Sequence, residues 1–237
     1  TEDGKLTPEL VERQLFDIGS VHRAQVGAIS ITQVTEMGTV YSAEEIQALA
    51  DVAHNNGIHL HMDGARLANA AVTLGQEFRE FTTDAGVDIL SFGGTKNGTM
   101  AAEAVITLNP TLGAAIPFLR KTSMQLPSKM RFFSAQLIAL LATDLWKRNA
   151  HHSNTMAKLL EAGMMIQQYQ YPYVELPQPR QANSVFPILP WPVIESLQQQ
   201  FKFYVWNQET GQVRWMCSWD TTEDDVLGIL AALKAAL

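Results

Sequence analysis

Apolar and polar positions along this 237-residue chain switch repeatedly between a two-residue and a helical period. Val26 to Val34, Ile58 to Asp63, Val87 to Phe92 and Ala104 to Leu108 are short runs rich in β-branched or alternating apolar residues, and each predicts a strand. Helical patterns fall between them. Thr7 as N-cap with Pro8 at the first helical position opens a helix whose apolar face is Leu10, Val11, Leu15 and Ile18, ending near Gly19. Ser42 and Glu45 form a capping box ahead of Ile46, Leu49, Ala50 and Ala53, and Asn55-Asn56-Gly57 stops that helix. A short helix begins after Gly64 and ends near Gly75. Strand, helix and strand at these lengths make a parallel crossover, so the first part of the chain predicts an α/β unit with a mostly parallel sheet.

After Pro110 the pattern is less regular. Ser123 to Arg131 reads as an irregular basic loop. Phe133, Leu137, Leu140, Leu141, Leu145 and Trp146 then recur at helical spacing, and helical composition continues from His151 to Gln168 after a bend. Three prolines between Pro172 and Pro179 mark a change to short strands at Asn183 to Leu189, Phe201 to Trp206 and Gln212 to Trp219, with Gln208 to Gly211 as a turn. Thr221 and Asp224 cap a terminal helix that turns Val226, Ile229, Leu230 and Leu233 inward. The expected organisation is a large domain over residues 1–150 and a small α+β domain over 151–237.

Composition narrows the function. Apolar residues make up 46% and charged residues 17%, and no apolar run approaches the roughly 18 residues needed to span a bilayer, so a membrane role is not expected. A formal charge of −7, without a Lys/Arg cluster, argues against nucleic acid as a partner and leaves small-molecule chemistry. Cys217 is the only cysteine, which excludes an intrachain disulfide and makes a reducing, cytoplasmic setting the expectation.

Candidate chemistry gathers at two strand ends. The third strand runs into Gly93-Gly94-Thr95-Lys96-Asn97-Gly98, where glycines let the backbone turn sharply and bring Lys96 to a ligand. Burial there would lower the amine's pKa and make it a nucleophile; the alternative is a loop lysine in water. Asp63 ends the second strand, and ligands of parallel α/β sheets bind at the carboxyl ends of strands. A carboxylate for a pyridine nitrogen and a lysine for an aldehyde are what pyridoxal phosphate requires. Asp63 could equally be the N-cap of the helix beginning near Ala65, and Arg66 an ordinary helix residue. The rival is a metal site on His59, His61 and Asp63, which alternate along one strand. His151 and His152 read as a solvated helix junction. A P-loop fails on its glycine spacing.

His61-Met62-Asp63-Gly64-Ala65-Arg66-Leu67 followed by Ser91-Phe92-Gly93-Gly94-Thr95-Lys96-Asn97-Gly98 resembles the low-specificity L-threonine aldolase and aromatic amino acid β-eliminating lyase family, within the fold-type-I (aspartate aminotransferase-like) pyridoxal-phosphate enzymes. The two motifs stand in the family's order and spacing, and the likeness extends to Lys129-x-Arg131-Phe132 and Gln212-Val213-Arg214. The resemblance implies a lyase cleaving a β-hydroxy amino acid to glycine and an aldehyde. It gives Lys96 the cofactor aldehyde, Asp63 the pyridine nitrogen, Ala65 a place against the ring, and Arg66 the ring oxygen or the substrate. Arg214 receives the substrate carboxylate, and Lys129 and Arg131 approach the cofactor phosphate or a neighbouring subunit. An amino acid substrate and a homo-oligomer, dimer or tetramer, are implied. Family members carry a further N-terminal portion with a phosphate cup and a ring-stacking histidine, so the chain reads as an N-terminally truncated large domain. Remaining alternatives are a β-eliminating lyase or aminotransferase on the same fold, or a catalytically silent domain.

Overall fold

The computed structural model describes residues 1–237, the side chain of Glu2 excepted. It divides into two compact units, Thr1–Lys147 and Arg148–Leu237.

The first unit is built on a four-stranded sheet in the order β1 (Ala28–Thr32), β2 (His59–Gly64), β3 (Ile89–Gly93) and β4 (Glu103–Thr107). β1, β2 and β3 run parallel, and β4 returns antiparallel to β3. The reversal needs no crossover helix because only a tight turn and a short loop separate β3 from β4. Two helices precede and follow β1: α1 (Pro8–Leu15), capped by Thr7, and α2 (Ala43–Asn55), whose capping box between Ser42 and Glu45 is complete. α2 packs on β2 and buries Ile46, Leu49, Ala50 and Ala53 together with Leu60 and Met62. Along β2 burial alternates: Leu60, Met62 and Gly64 lie in the core, while His59, His61 and Asp63 share the half-buried face.

At the start of β3 the buried carboxylate of Asp88 joins several elements. It accepts from the Leu60 amide at 2.8 Å, from Asn109 Nδ2 at 2.7 Å, and lies 2.9 Å from His54 Nε2 on α2. Burial pushes its carboxyl up, but these hydrogen bonds outweigh burial and leave it below the ordinary value. After β2 comes α3 (Leu67–Leu74), which ends on Gly75 in the left-handed conformation. Further on lie α4 (Ile116–Thr122) and α5 (Met130–Leu141).

α6 (Leu145–Gln170) starts at the end of the first unit, and the second unit continues with β5 (Ser184–Val185), α7 (Trp191–Gln198), β6 (Tyr204–Asn207), β7 (Gln212–Met216) and α8 (Glu223–Ala236). The three strands form an antiparallel sheet in the order β5-β7-β6. Its core packs Val185, Val213, Trp215 and Cys217 with Leu160 and Met164 of α6, Ile194 and Leu197 of α7, and Val226 and Leu233 of α8. Burial pushes the Cys217 thiol up to about 12.

Several expectations shift. α1 stops at Leu15, not near Gly19, because its apolar face runs out: Ile18 is exposed and Phe16 is 77% exposed. The helical stretch from Phe133 breaks at 142–144 into α5 and α6, so the solvent-exposed His151 and the half-buried His152 lie inside α6 and not at a junction. His152 Nε2 stands 2.6 Å from the Thr221 carbonyl. Arg131 belongs to α5, not to a loop. The terminal cap falls one residue later, on Thr222 and Asp225, because the Thr221 hydroxyl instead accepts from the Ser218 amide. No local pattern predicts α7, since Pro190-Trp191-Pro192 looks like a breaker but supplies a proline inside the first turn.

Candidate functional site

Three loops leave the carboxyl ends of β1, β2 and β3 at the same end of the sheet. The β1 loop is held by Gln33, whose buried amide clamps Tyr41 twice, Nε2 donating to the carbonyl at 2.9 Å and Oε1 accepting from the amide at 3.0 Å. Its backbone N–H donates to the Asp63 carbonyl at 2.8 Å, so β1 and β2 stay joined to their last residues.

Asp63 lies opposite Ser91 and Thr32 in the sheet register. Its Oδ1 accepts from the Ala65 amide at 2.9 Å. Asp63 therefore is not the N-cap of the following helix: α3 begins at Leu67, with Arg66 in the capping position. The carboxylate instead holds its own loop closed over two residues, an Asx-type turn that fixes its orientation. Arg66 is 7% exposed, and its Nη1 stands 3.8 Å from Glu36 Oε1 of the β1 loop.

Lys96 rides on a single 3-10 turn, Thr95–Asn97, entered from Gly94 and left through Gly98 at φ 110°. Its neighbours pin the turn from both sides. The Thr95 amide donates to Glu103 Oε1 at 3.0 Å, and the buried Asn97 side chain donates to the Trp146 carbonyl at 3.0 Å. Trp146 stacks on Phe78 at 4.3 Å, and Phe78 meets Phe92 of β3 edge-on at 5.9 Å. Lys96 itself is exposed, which corrects the expectation of a buried amine: burial falls on Asn97, which faces inward from the turn. Asn97 and Glu103 escaped the sequence reading because nothing in their spacing marks them as the turn's supports.

The Asp63 and Lys96 segments touch through backbone. A Cβ at Gly93 would lie 2.7 Å from Ala65 Cα and 3.0 Å from its carbonyl oxygen, so glycine is required for the β3 turn to close on the β2 loop. Gly64 is similarly confined, with Leu90 Cδ1 at 2.8 Å and the Ser91 carbonyl at 3.1 Å.

The metal alternative loses its ligands to other partners. His61 Nδ1 lies 2.8 Å from Ser30 Oγ and its Nε2 3.0 Å from Ser91 Oγ, which occupies both ring nitrogens. His59 turns toward Asp88 instead, at 3.7 Å. Among the described residues no three His, Cys, Asp or Glu side chains are grouped to hold a metal. No helix of the described residues is long and apolar enough to cross a membrane.

In the second unit Arg214 sits half-buried on β7, between the core residues Val213 and Trp215 and on the opposite face of the strand. Its guanidinium carbon stands 4.9 Å from the Trp206 ring centroid. Lys129 occupies the N-cap position of α5, and the Arg131 guanidinium lies 5.1 Å from the Phe132 ring.

Comparison with known proteins gives this arrangement its context. A low specificity L-threonine aldolase of a Pseudomonas species is 39% identical over 238 residues, spanning 100% of this chain and 67% of that protein. The chain therefore covers about two thirds of that relative's length. Among solved structures, the Leishmania major threonine aldolase superposes with a TM-score of 0.89 at 29% identity, covering 99% of this chain and 68% of that one. A PLP-dependent aminotransferase from Streptococcus suis has a TM-score of 0.70 at 17% identity, over 100% of this chain and 62% of its own, a likeness of fold alone. The architecture is that of the fold-type-I PLP-dependent enzymes, with a mixed, mostly parallel sheet. The family described as beta-eliminating lyase matches residues 1–188, more than three quarters of the sequence, and the chain belongs to that family.

Proposed function

We propose that this chain is the core of a pyridoxal-phosphate-dependent carbon–carbon lyase that cleaves a β-hydroxy amino acid of the threonine type into glycine and an aldehyde. The observation that carries the reading is the meeting of the Asp63 and Lys96 segments at adjacent ends of β2 and β3, closed by the Gly93–Ala65 approach. The Pseudomonas and Leishmania major threonine aldolases match along 100% and 99% of this chain.

The residues present fit the cofactor. A carboxylate already oriented by the Ala65 amide suits a protonated ring nitrogen, and an exposed amine on a pinned turn suits an aldehyde. When bound, pyridoxal phosphate supplies an electron sink for the pair left on Cα as the Cα–Cβ bond breaks. Asp63 holds the proton at the pyridine nitrogen. Lys96 Nζ would hold the cofactor aldehyde, and its exposure on the turn leaves the amine accessible. Ala65 keeps the floor of the site small, and Arg66, buried against Glu36, binds the ring oxygen or the substrate. Arg214 takes the substrate carboxylate through a planar, two-point pairing. The same reading takes the protein to be a cytoplasmic homo-oligomer, supported by the exposed Phe118, Phe132 and Ile138 of α4 and α5; light scattering that returns a monomer ends that part.

The test has two stages. Borohydride reduction in the presence of cofactor is expected to label Lys96, located by peptide mass. Glycine release from L-threonine or L-allo-threonine is then measured. Labelled protein that releases no glycine from either substrate overturns the lyase reading in favour of another reaction on the same fold.

A further inference from the structure

The proposed role of Arg214 raises the question of what holds its guanidinium in one plane. An arginine side chain is long and rotamer-rich, and a carboxylate gains most from a fork that is already oriented. The small sheet contains such a device. β6 and β7 pair regularly through Tyr204 with Arg214 and Val205 with Val213, and then slip, so that Gln212 pairs with Asn207. Trp206 is the residue left over at that slip.

At this slip the indole meets the guanidinium, 4.9 Å from ring centroid to the Arg214 ζ carbon. The ring is braced in turn. Phe186, 2% exposed, meets Trp206 edge-on with centroids 6.0 Å apart and planes at 75°. Phe186 follows β5, which flanks β7 on the side away from β6, so residues of all three strands converge on the face of the sheet opposite Val213 and Trp215. Tyr204 pairs with Arg214, so Trp206, two residues further along β6, stands on the same face of the sheet and diagonal to it. An arginine laid against a ring keeps its N–H edge available to a planar anion.

Resting on the reading of Arg214 as the substrate-carboxylate residue, we infer that Trp206 is its positioning residue: the indole, braced by Phe186, holds the guanidinium plane so that it presents its edge to the substrate carboxylate. Trp206 acts through Arg214 and through no bond of its own to the reacting atoms.

The experiment uses the full-length, cofactor-loaded enzyme and calorimetric titration with two probes, glycine and methylamine, which differ by the carboxylate. Trp206→Gln is expected to weaken glycine on the order of fivefold to tenfold, the range a partly desolvated cation–π contact supports, and to leave methylamine unchanged. Trp206→Phe keeps an aromatic face and should lose about twofold for glycine alone; it carries the test if Trp206→Gln does not fold. In an Arg214→Gln background, Trp206→Gln should cost nothing more. The inference is overturned if Trp206→Gln weakens both probes alike, leaves glycine affinity unchanged, or multiplies with Arg214→Gln. If Arg214→Gln itself leaves glycine affinity untouched, the carboxylate reading of Arg214 has failed, an outcome distinct from failure at Trp206 alone.

Discussion

Lys96 shows how much one residue's role depends on neighbours that do not share its chemistry. The amine is exposed, and what fixes it is Asn97 pointing inward and Glu103 holding the Thr95 amide. Lys96→Ala should therefore abolish the borohydride-trapped adduct while moving the urea unfolding midpoint by no more than surface substitutions do, about 0.5 kcal/mol. A large loss of stability in that variant would show that the amine is structural. Gly93→Ala tests the opposite case. Its new Cβ would meet Ala65 backbone at 2.7 Å, which cannot move aside as a side-chain tip can, and a cost on the order of 1–3 kcal/mol is expected with a lower adduct yield. An unchanged midpoint would mean that the two loops part easily. Cys217 is the third residue-scale test. With its thiol pushed up to about 12 by burial, partly offset by Arg180, it carries almost no thiolate at pH 8. The folded protein should react with an aromatic disulfide reagent far more slowly than the urea-unfolded chain; equal rates would show that the second unit opens readily.

Elements were legible where their signals are local. The capping box of α2 stands where Ser42 and Glu45 place it, and Gly75 ends α3 in the conformation that favours glycine. Ser42→Ala should cost about 1 kcal/mol, read from the urea midpoint, because the hydroxyl satisfies the Glu45 amide. No measurable loss would mean that water replaces it there. Elements were misread where two local signals compete. Thr221 and Thr222 both offer a threonine followed by an aspartate three residues on, and only the loop's own Ser218–Thr221 bond decides between them. The α5–α6 break has no glycine or proline to announce it, and α7 was hidden by its prolines. Strand direction is a further limit: β4 looks like its parallel neighbours in sequence and runs the other way in the sheet.

At the scale of the whole molecule, Asp88 links the sheet to α2 and to Asn109 beyond β4. Hydrogen bonding holds its folded carboxyl below the ordinary carboxylate value, so the sign is fixed: its stabilisation is complete above the unfolded value and is lost as pH falls through the lower folded one. Asp88→Asn should lower the urea midpoint at pH 7, and the gap between wild type and variant should narrow as pH falls below about 4. A gap that stays constant with pH would show that the carboxylate charge contributes nothing.

By itself the sequence determined the period of each element, most of the caps, and the presence at two strand ends of a carboxylate and a lysine, because these depend on residues within a few positions of one another. The tertiary structure decided what depends on distant residues. It turned Asp63 from a possible helix cap into an oriented carboxylate and engaged both nitrogens of His61 with serines from neighbouring strands. It also set Trp206 against Arg214 across two paired strands. Register, burial and partner choice are settled by packing between segments far apart in the chain, and no local pattern carries that information.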